Sequence, residues 1–288
     1  MRVAITGATG LVGGALLQAL RSRGHEVSGG GRAWADLLDA EAVRRAVGDA
    51  EVIVHCAAEA DVDAAEREPS VAWRSNVDAT RTLALHARET GAHLVHVSTD
   101  YVFDGSKGAC TVDEPLSPLG VYGATKAAAE LAVRALVPAG RWAIARTAVV
   151  YGWPPRPVRK NFGSWLLSEL AAGRPARVFS DQTITPTHVA NLTEMAVELV
   201  ERRLAGTWHL AGAEVVSRLE FGQRLCARFG FSPSLLEATR MADAKQAGPR
   251  PLRGGLDVSK TTAALSAKPL ALDASLELLH AAFRPQEM

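Results

Sequence analysis

Cysteine is scarce in this chain: 288 residues hold three, Cys56, Cys110 and Cys226, far apart. That spacing supplies neither a disulfide framework nor a close-set metal motif, so no metal site is expected. An excess of one charge is also missing, because 32 Lys+Arg face 31 Asp+Glu. Without a basic footprint, nucleic acid is excluded as a partner. No apolar run reaches the 18 or so residues that a membrane-crossing helix needs, which argues against a membrane partner. Met1-Arg2-Val3-Ala4-Ile5 turns polar at Thr6-Gly7, before a signal-peptide core can form, so the expected location is the cytoplasm. Internal repeats and low-complexity tracts are absent too. Hydrophobic residues at 48% give ample core material and exclude a disordered chain.

What is present is an alternation of short apolar runs and helical patterns. Val3–Thr6, Val27, Val52–Val54, Leu94–Val97 and Trp142–Ala145 read as strands. Between them, apolar residues recur at helical spacing from Leu11 to Leu20, Ala40 to Val47, Val71 to Arg88 and from Val121 to just before Pro138. Such alternation predicts an α/β fold of the Rossmann type, a doubly wound parallel sheet, over residues 1–151. After Tyr151, the run Trp153-Pro154-Pro155-Arg156-Pro157 excludes a continuing helix. Residues 152–288 are expected to form mainly a smaller, interleaved C-terminal substrate lobe, with about 188–212 returning to the first domain. Helices are expected near Phe162–Ala172, Val189–Arg202, Phe221–Phe229 and Ser275–Phe283, and strands at Arg177–Phe179 and Thr207–Leu210.

The first strand runs into Thr6-Gly7-Ala8-Thr9-Gly10-Leu11-Val12-Gly13, which opens the first helix. Three glycines here permit a sharp turn, a close approach of a pyrophosphate to the backbone, and tight helix–strand packing. Amide groups at the helix start then face the phosphates, aided by the helix dipole. The same glycines also suit a tight turn with no ligand. Where a carboxylate selective for NADH normally ends the second strand, the residues are Gly29-Gly30-Gly31-Arg32. No anion is left to repel a 2′-phosphate, and Arg32 offers it a charge-assisted contact, which predicts NADPH rather than NADH. The plain alternative is a solvated Arg32 in a flexible turn.

Ser98 and Thr99 stand just past the fourth strand, where ligands of open α/β sheets bind. Tyr122 and Lys126, four residues apart, share one helix face. A Lys cation so placed would lower the pKa of the phenol, which then gives a proton to a carbonyl oxygen held by the Thr99 hydroxyl. Asp100 either touches substrate or caps a turn, with Tyr101 beside it. Asn76 is either an anchor for water or backbone or a plain buried amide. Arg250 either meets a substrate phosphate or is solvated, and His188 and His209 read as structural.

With these motifs the sequence resembles the extended short-chain dehydrogenase/reductases, and within them the dTDP-4-dehydrorhamnose reductase-like branch. The resemblance spans nearly the whole chain. Its matching pieces are the glycine turn, Ala57-Ala58 with Val62-Asp63-Ala64-Ala65-Glu66, Asn76-Val77, Ser98 to Gly105, Tyr122 to Lys126, Arg146-Thr147, Tyr151-Gly152, Asp181-Gln182 with Pro186-Thr187, and Arg250-Pro251 with Leu256-Asp257. It implies that Thr99, Tyr122 and Lys126 are catalytic and that a nicotinamide cofactor supplies hydride. The cofactor contacts then expected are Gly7, Thr9, Gly10, Leu11, Val12, Gly13, Arg32, Asp36 and Leu37 beside the adenine, Cys56, Ala57 and Ala58, with Tyr122 and Lys126 at the nicotinamide ribose.

The departures bear on substrate. Ala148 and Val149 stand where the sugar-nucleotide reductases carry Ser and a sugar-facing Trp; Gly120 replaces an Asn and Gly254 a Ser. Expected substrate contacts are Ser98, Asp100, Tyr101, Val149, Trp153 and Arg250, around a more apolar pocket. The expected activity is NADPH-dependent reduction of a small-molecule carbonyl or imine, with Tyr122 as proton donor. A sugar-nucleotide reductase is the alternative within the class, and a non-catalytic dinucleotide-binding regulatory subunit the alternative outside it. A homodimer is the expected assembly.

Overall fold

A computed structural model describes residues 1–153 and 161–284; the prolines at 154, 155 and 157 lie outside them. Six strands form one sheet: β1 (Arg2–Thr6), β2 (Glu26–Gly30), β3 (Val52–His55), β4 (His93–Thr99), β5 (Trp142–Thr147) and β6 (Gly206–His209). Their order across the sheet is β6-β5-β4-β3-β1-β2, and every pairing is parallel. Strand order reverses between β1 and β3, and a crevice opens at such a switch point.

Strand geometry explains the two faces. Alternate side chains point to opposite sides, so Val3, Ile5, Val52, Val54, Val95 and Ala145 pack against Leu16 and Leu20 of the first helix (Leu11–Ser22) and Met195 and Leu199 of helix Val189–Glu201. Ala4, Ile53, Leu94 and Ile144 meet Val43, Leu83, Ala84 and Val133 on the other side. Both faces are covered, which is why these strands read as continuous apolar runs. A second apolar cluster, around Tyr151, Leu166, Leu167, Phe221 and Leu276, is built almost wholly from residues after 150.

The stretch predicted as one helix from Val71 to Arg88 carries an interruption. Helix Pro69–Trp73 passes through a π turn, Arg74–Asp78, into helix Ala79–Thr90. π turns recur at functional sites, and this one buries Asn76. Its amide bonds both backbone groups of Glu59 (2.8 and 3.1 Å) and the Thr125 hydroxyl (2.9 Å). Of the two readings for Asn76, the backbone anchor is the one observed. Helix Val62–Arg67 escaped the sequence reading because it is short and polar. Its start is held by the Asp61 side chain, which accepts from the backbone of Asp63 and Ala64.

Candidate active site

At the switch point a cleft of about 620 Å³ runs between the ends of β1, β2 and β3. The glycine turn forms its floor. Gly7 has φ 67°, and a Cβ there would lie 2.6 Å from the Ala57 amide nitrogen. A Cβ on Gly13 would fall 2.5 Å from the Gly7 carbonyl oxygen, so Gly13 seats the helix on the turn. Gly10 caps the first helix with no side-chain cap, leaving the first-turn amides of Leu11, Val12 and Gly13 for an anion. Thr9, Gly10, Arg32, Asp36, Leu37, Cys56, Ala57 and Ala58 all line the cleft, with Trp34 beside them. These residues fit a dinucleotide: an open amide cradle and an exposed guanidinium, with no carboxylate at the end of β2.

The glycines after β2 are crowded rather than loose. A Cβ on Gly29 would lie 2.5 Å from the Ile5 carbonyl oxygen, one on Gly30 2.4 Å from the Trp34 Cβ, and one on Gly31 2.8 Å from the Thr9 hydroxyl. Cys56 is no nucleophile, because burial pushes its thiol up to about 12.

Beyond β4, the Thr99 hydroxyl caps the turn that follows, accepting from the Tyr101 amide and donating to Asp100 Oδ1 at 3.1 Å. Tyr122 is in the first turn of helix Val121–Leu136, half-buried, with the Thr99 side chain near its phenol. One turn on, the buried Lys126 Nζ donates to the Val97 carbonyl (2.7 Å) and meets His96 Nε2 at 3.1 Å. Burial brings Lys126 down to about 8, against the opposing charge of Glu130. His96 is held neutral by burial and by the Lys126 charge. The expected lowering of the Tyr122 pKa by Lys126 is not observed. Burial pushes the phenol well above its ordinary value, and the charge of Asp100 adds to this. The ammonium is turned toward Val97 and His96 instead.

Ser98 is buried and donates to Glu130 Oε1 at 2.6 Å, so its hydroxyl faces inward. Glu130 in turn takes a bidentate ion pair from Arg146 (2.9 and 2.7 Å), both side chains being at most 1% exposed. Sequence reading assigned neither a role. The spacing from Lys126 to Glu130, again four residues, was the available signal. Together Ser98, Glu130 and Arg146 tie β4, the Tyr122 helix and β5 into one unit.

The other expected contacts are more scattered. Asp100 is buried, which raises its carboxyl to about 6 against the Thr99 hydrogen bond. Tyr101 packs edge-on against Tyr122, with centroids 5.7 Å apart. Arg250 forms a bidentate pair with Asp63 (3.0 and 2.9 Å). Val149 holds φ 39°, rare for a β-branched residue. Trp153 packs on Phe283 at the edge of the second cluster. Arg218, unremarked in the sequence, sits beside Asp100 and Tyr101; its place at a helix start carries no local signature.

The model of the RmlD substrate binding domain matches residues 1–284. A probable low-salt glycan biosynthesis reductase of Haloferax volcanii is 34% identical, over 97% of each chain. Methionine adenosyltransferase 2 subunit beta of Rattus norvegicus is 34% identical over 90% of this chain and 81% of its own. Among solved structures, dTDP-4-dehydrorhamnose reductase from Bacillus anthracis, in complex with NADP, superposes with a TM-score of 0.90 at 27% identity, covering 97% of this chain and 98% of its own. The chain belongs to the RmlD family of extended short-chain dehydrogenase/reductases, and is an oxidoreductase of that type.

Proposed function

We propose that the chain reduces a carbonyl group with NADPH, Tyr122 donating the proton. One observation carries this reading: a half-buried phenol one helical turn before the buried Lys126 and beside Thr99, at the carboxyl end of β4. Support for NADPH comes from Arg32 in the cleft and from the NADP-bound relative. When bound, NADPH supplies the hydride. Thr99 orients the substrate oxygen, and Tyr122 gives it a proton as negative charge develops there. A phenol pushed up by burial holds its proton until such an oxygen arrives, which suits a general acid. Lys126, brought down to about 8 by burial, is kept in place beneath the site by the Val97 carbonyl. Protonation by Tyr122 extends in principle to an imine nitrogen.

The sugar-nucleotide ketones named for the reductase relatives are one substrate class; more apolar ketones are the other, favoured by Val149 where those relatives carry Trp. A second reading, a non-catalytic dinucleotide-binding subunit, is favoured by the likeness to methionine adenosyltransferase 2 subunit beta. NADPH oxidation followed with nucleotide sugars, bulky ketones and cyclic imines decides between them. Turnover of any carbonyl supports the reductase. Tight NADPH binding with no oxidation across that panel turns the assignment to the subunit.

A further inference from the structure

Five titratable groups gather under the catalytic turn. His55 ends β3, Cys56 follows it, His96 lies on β4, and Lys126 and Glu130 are one turn apart on helix Val121–Leu136. His55, Cys56, His96 and Glu130 are the groups whose charge bears on Lys126. Most of them are already engaged. His55 meets the Thr6 hydroxyl through Nδ1 (2.7 Å) and the Thr80 hydroxyl through Nε2 (3.0 Å). Glu130 accepts from Ser98 and Arg146. Cys56 keeps its proton, because burial opposes the thiolate.

His96 is the exception. The side chain is fully buried, and its Nε2 lies 3.1 Å from Lys126 Nζ. Its Nδ1 is buried with no hydrogen-bond partner among the described residues. The His55 ring packs beside it, centroids 5.2 Å apart, with both of its own nitrogens in use. An ammonium has three donors and no lone pair, so the imidazole can only accept from it. Acceptance needs a bare Nε2, which puts the ring proton on the unmet Nδ1. A buried N–H without a partner costs free energy, so this tautomer persists because of the cation it faces. The Val97 carbonyl, 2.7 Å away, takes a second ammonium donor.

We propose that His96 is a positioning residue for Lys126: its bare Nε2 and the Val97 carbonyl hold two ammonium donors and leave the third, in a fixed direction, for the nicotinamide cofactor. One acceptor lets the side chain pivot about that bond, whereas two define the line along which the third N–H leaves. This rests on the reductase reading and deepens it, by naming what fixes the cation.

The test starts with proton–nitrogen correlation spectra of the full chain carrying ¹⁵N-labelled histidine, near neutral pH. His96→Gln assigns the His96 signal by its disappearance. A neutral ring protonated on Nδ1 is expected; an Nε2–H tautomer or an imidazolium overturns the proposal. Calorimetry with NADP⁺ follows. His96→Leu removes the acceptor and should weaken NADP⁺ roughly 2–12-fold, the worth of one hydrogen bond. His96→Gln returns an acceptor near the place of Nε2 and should bring affinity back to within about twofold of wild type. Equal losses in the two variants overturn the proposal, as does wild-type affinity in a folded Leu variant. If the Leu variant does not fold, the tautomer and the Gln variant decide. None of these readings needs turnover, so a failure of the reductase reading shows separately, as NADPH left unoxidised by every carbonyl.

Discussion

Thr99, Tyr122 and Lys126 make one wall, at the end of a central strand and on a helix bolted to it. Ser98, Glu130 and Arg146 hold strand and helix together, and Asn76 pins the neighbouring loop to that helix through Thr125. Val149, Trp153, Arg218 and Arg250, by contrast, come from a strand end, loops and a helix start and make a second wall, most of them half-exposed. The first wall is tied together by contacts among its own strand and helix, the second by separate pairings with Asp63, Gln182, Phe162 and Phe283. The first arrangement is therefore suited to chemistry that must be positioned.

Breaking the first wall should cost most. Tyr122→Phe is expected to lower turnover roughly 10²–10⁴-fold, while fluorescence titration shows NADPH binding preserved. Turnover within a few-fold of wild type removes Tyr122 from the mechanism. Glu130→Gln leaves the buried Arg146 without its counter-charge and should cost roughly 3–5 kcal/mol of stability. Denaturant unfolding checks this; a loss below about 1 kcal/mol would mean that the wall does not depend on the pair.

Arg32→Ala probes the cofactor cleft. It should weaken NADPH roughly 10–150-fold and spare NADH. Equal losses for the two, or a wild-type preference for NADH, would show that Arg32 does not read the 2′-phosphate. Reversal by a carboxylate at position 29 should fail without backbone movement, since a Cβ there would meet the Ile5 carbonyl oxygen at 2.5 Å.

Asp100 and Val149 sharpen the contrast at smaller scale. The folded-state pKa of Asp100, about 6, lies above the ordinary carboxylate value because the group is buried. Its contribution to stability is thus present at acid pH and is lost as pH rises through 6. Asp100→Asn should then raise stability at neutral pH by roughly 1–3 kcal/mol and flatten its decline between about pH 4 and 6. An unchanged pH profile would show that Asp100 titrates normally. Val149→Gly should gain about 1 kcal/mol by relieving the positive φ. A loss instead would mean that the isopropyl group packs well enough to hold that backbone.

The strand-and-helix alternation, the glycine turn and the Tyr122–Lys126 spacing were legible because each depends on residues close in sequence. Period 2 or 3.6, a turn that demands glycine, and one helix face are local facts. The same holds for the bounds of helix Ala40–Val47 and for the loss of a carboxylate after β2. Only the tertiary structure decided where those parts face. It turned Lys126 toward Val97 and His96 instead of the phenol, sent Ser98 inward to Glu130, and spent Arg250 on Asp63, far from it in sequence. The reason is physical: a charge or hydroxyl takes its pKa and its partner from whatever the fold packs around it, and sequence spacing does not record that company.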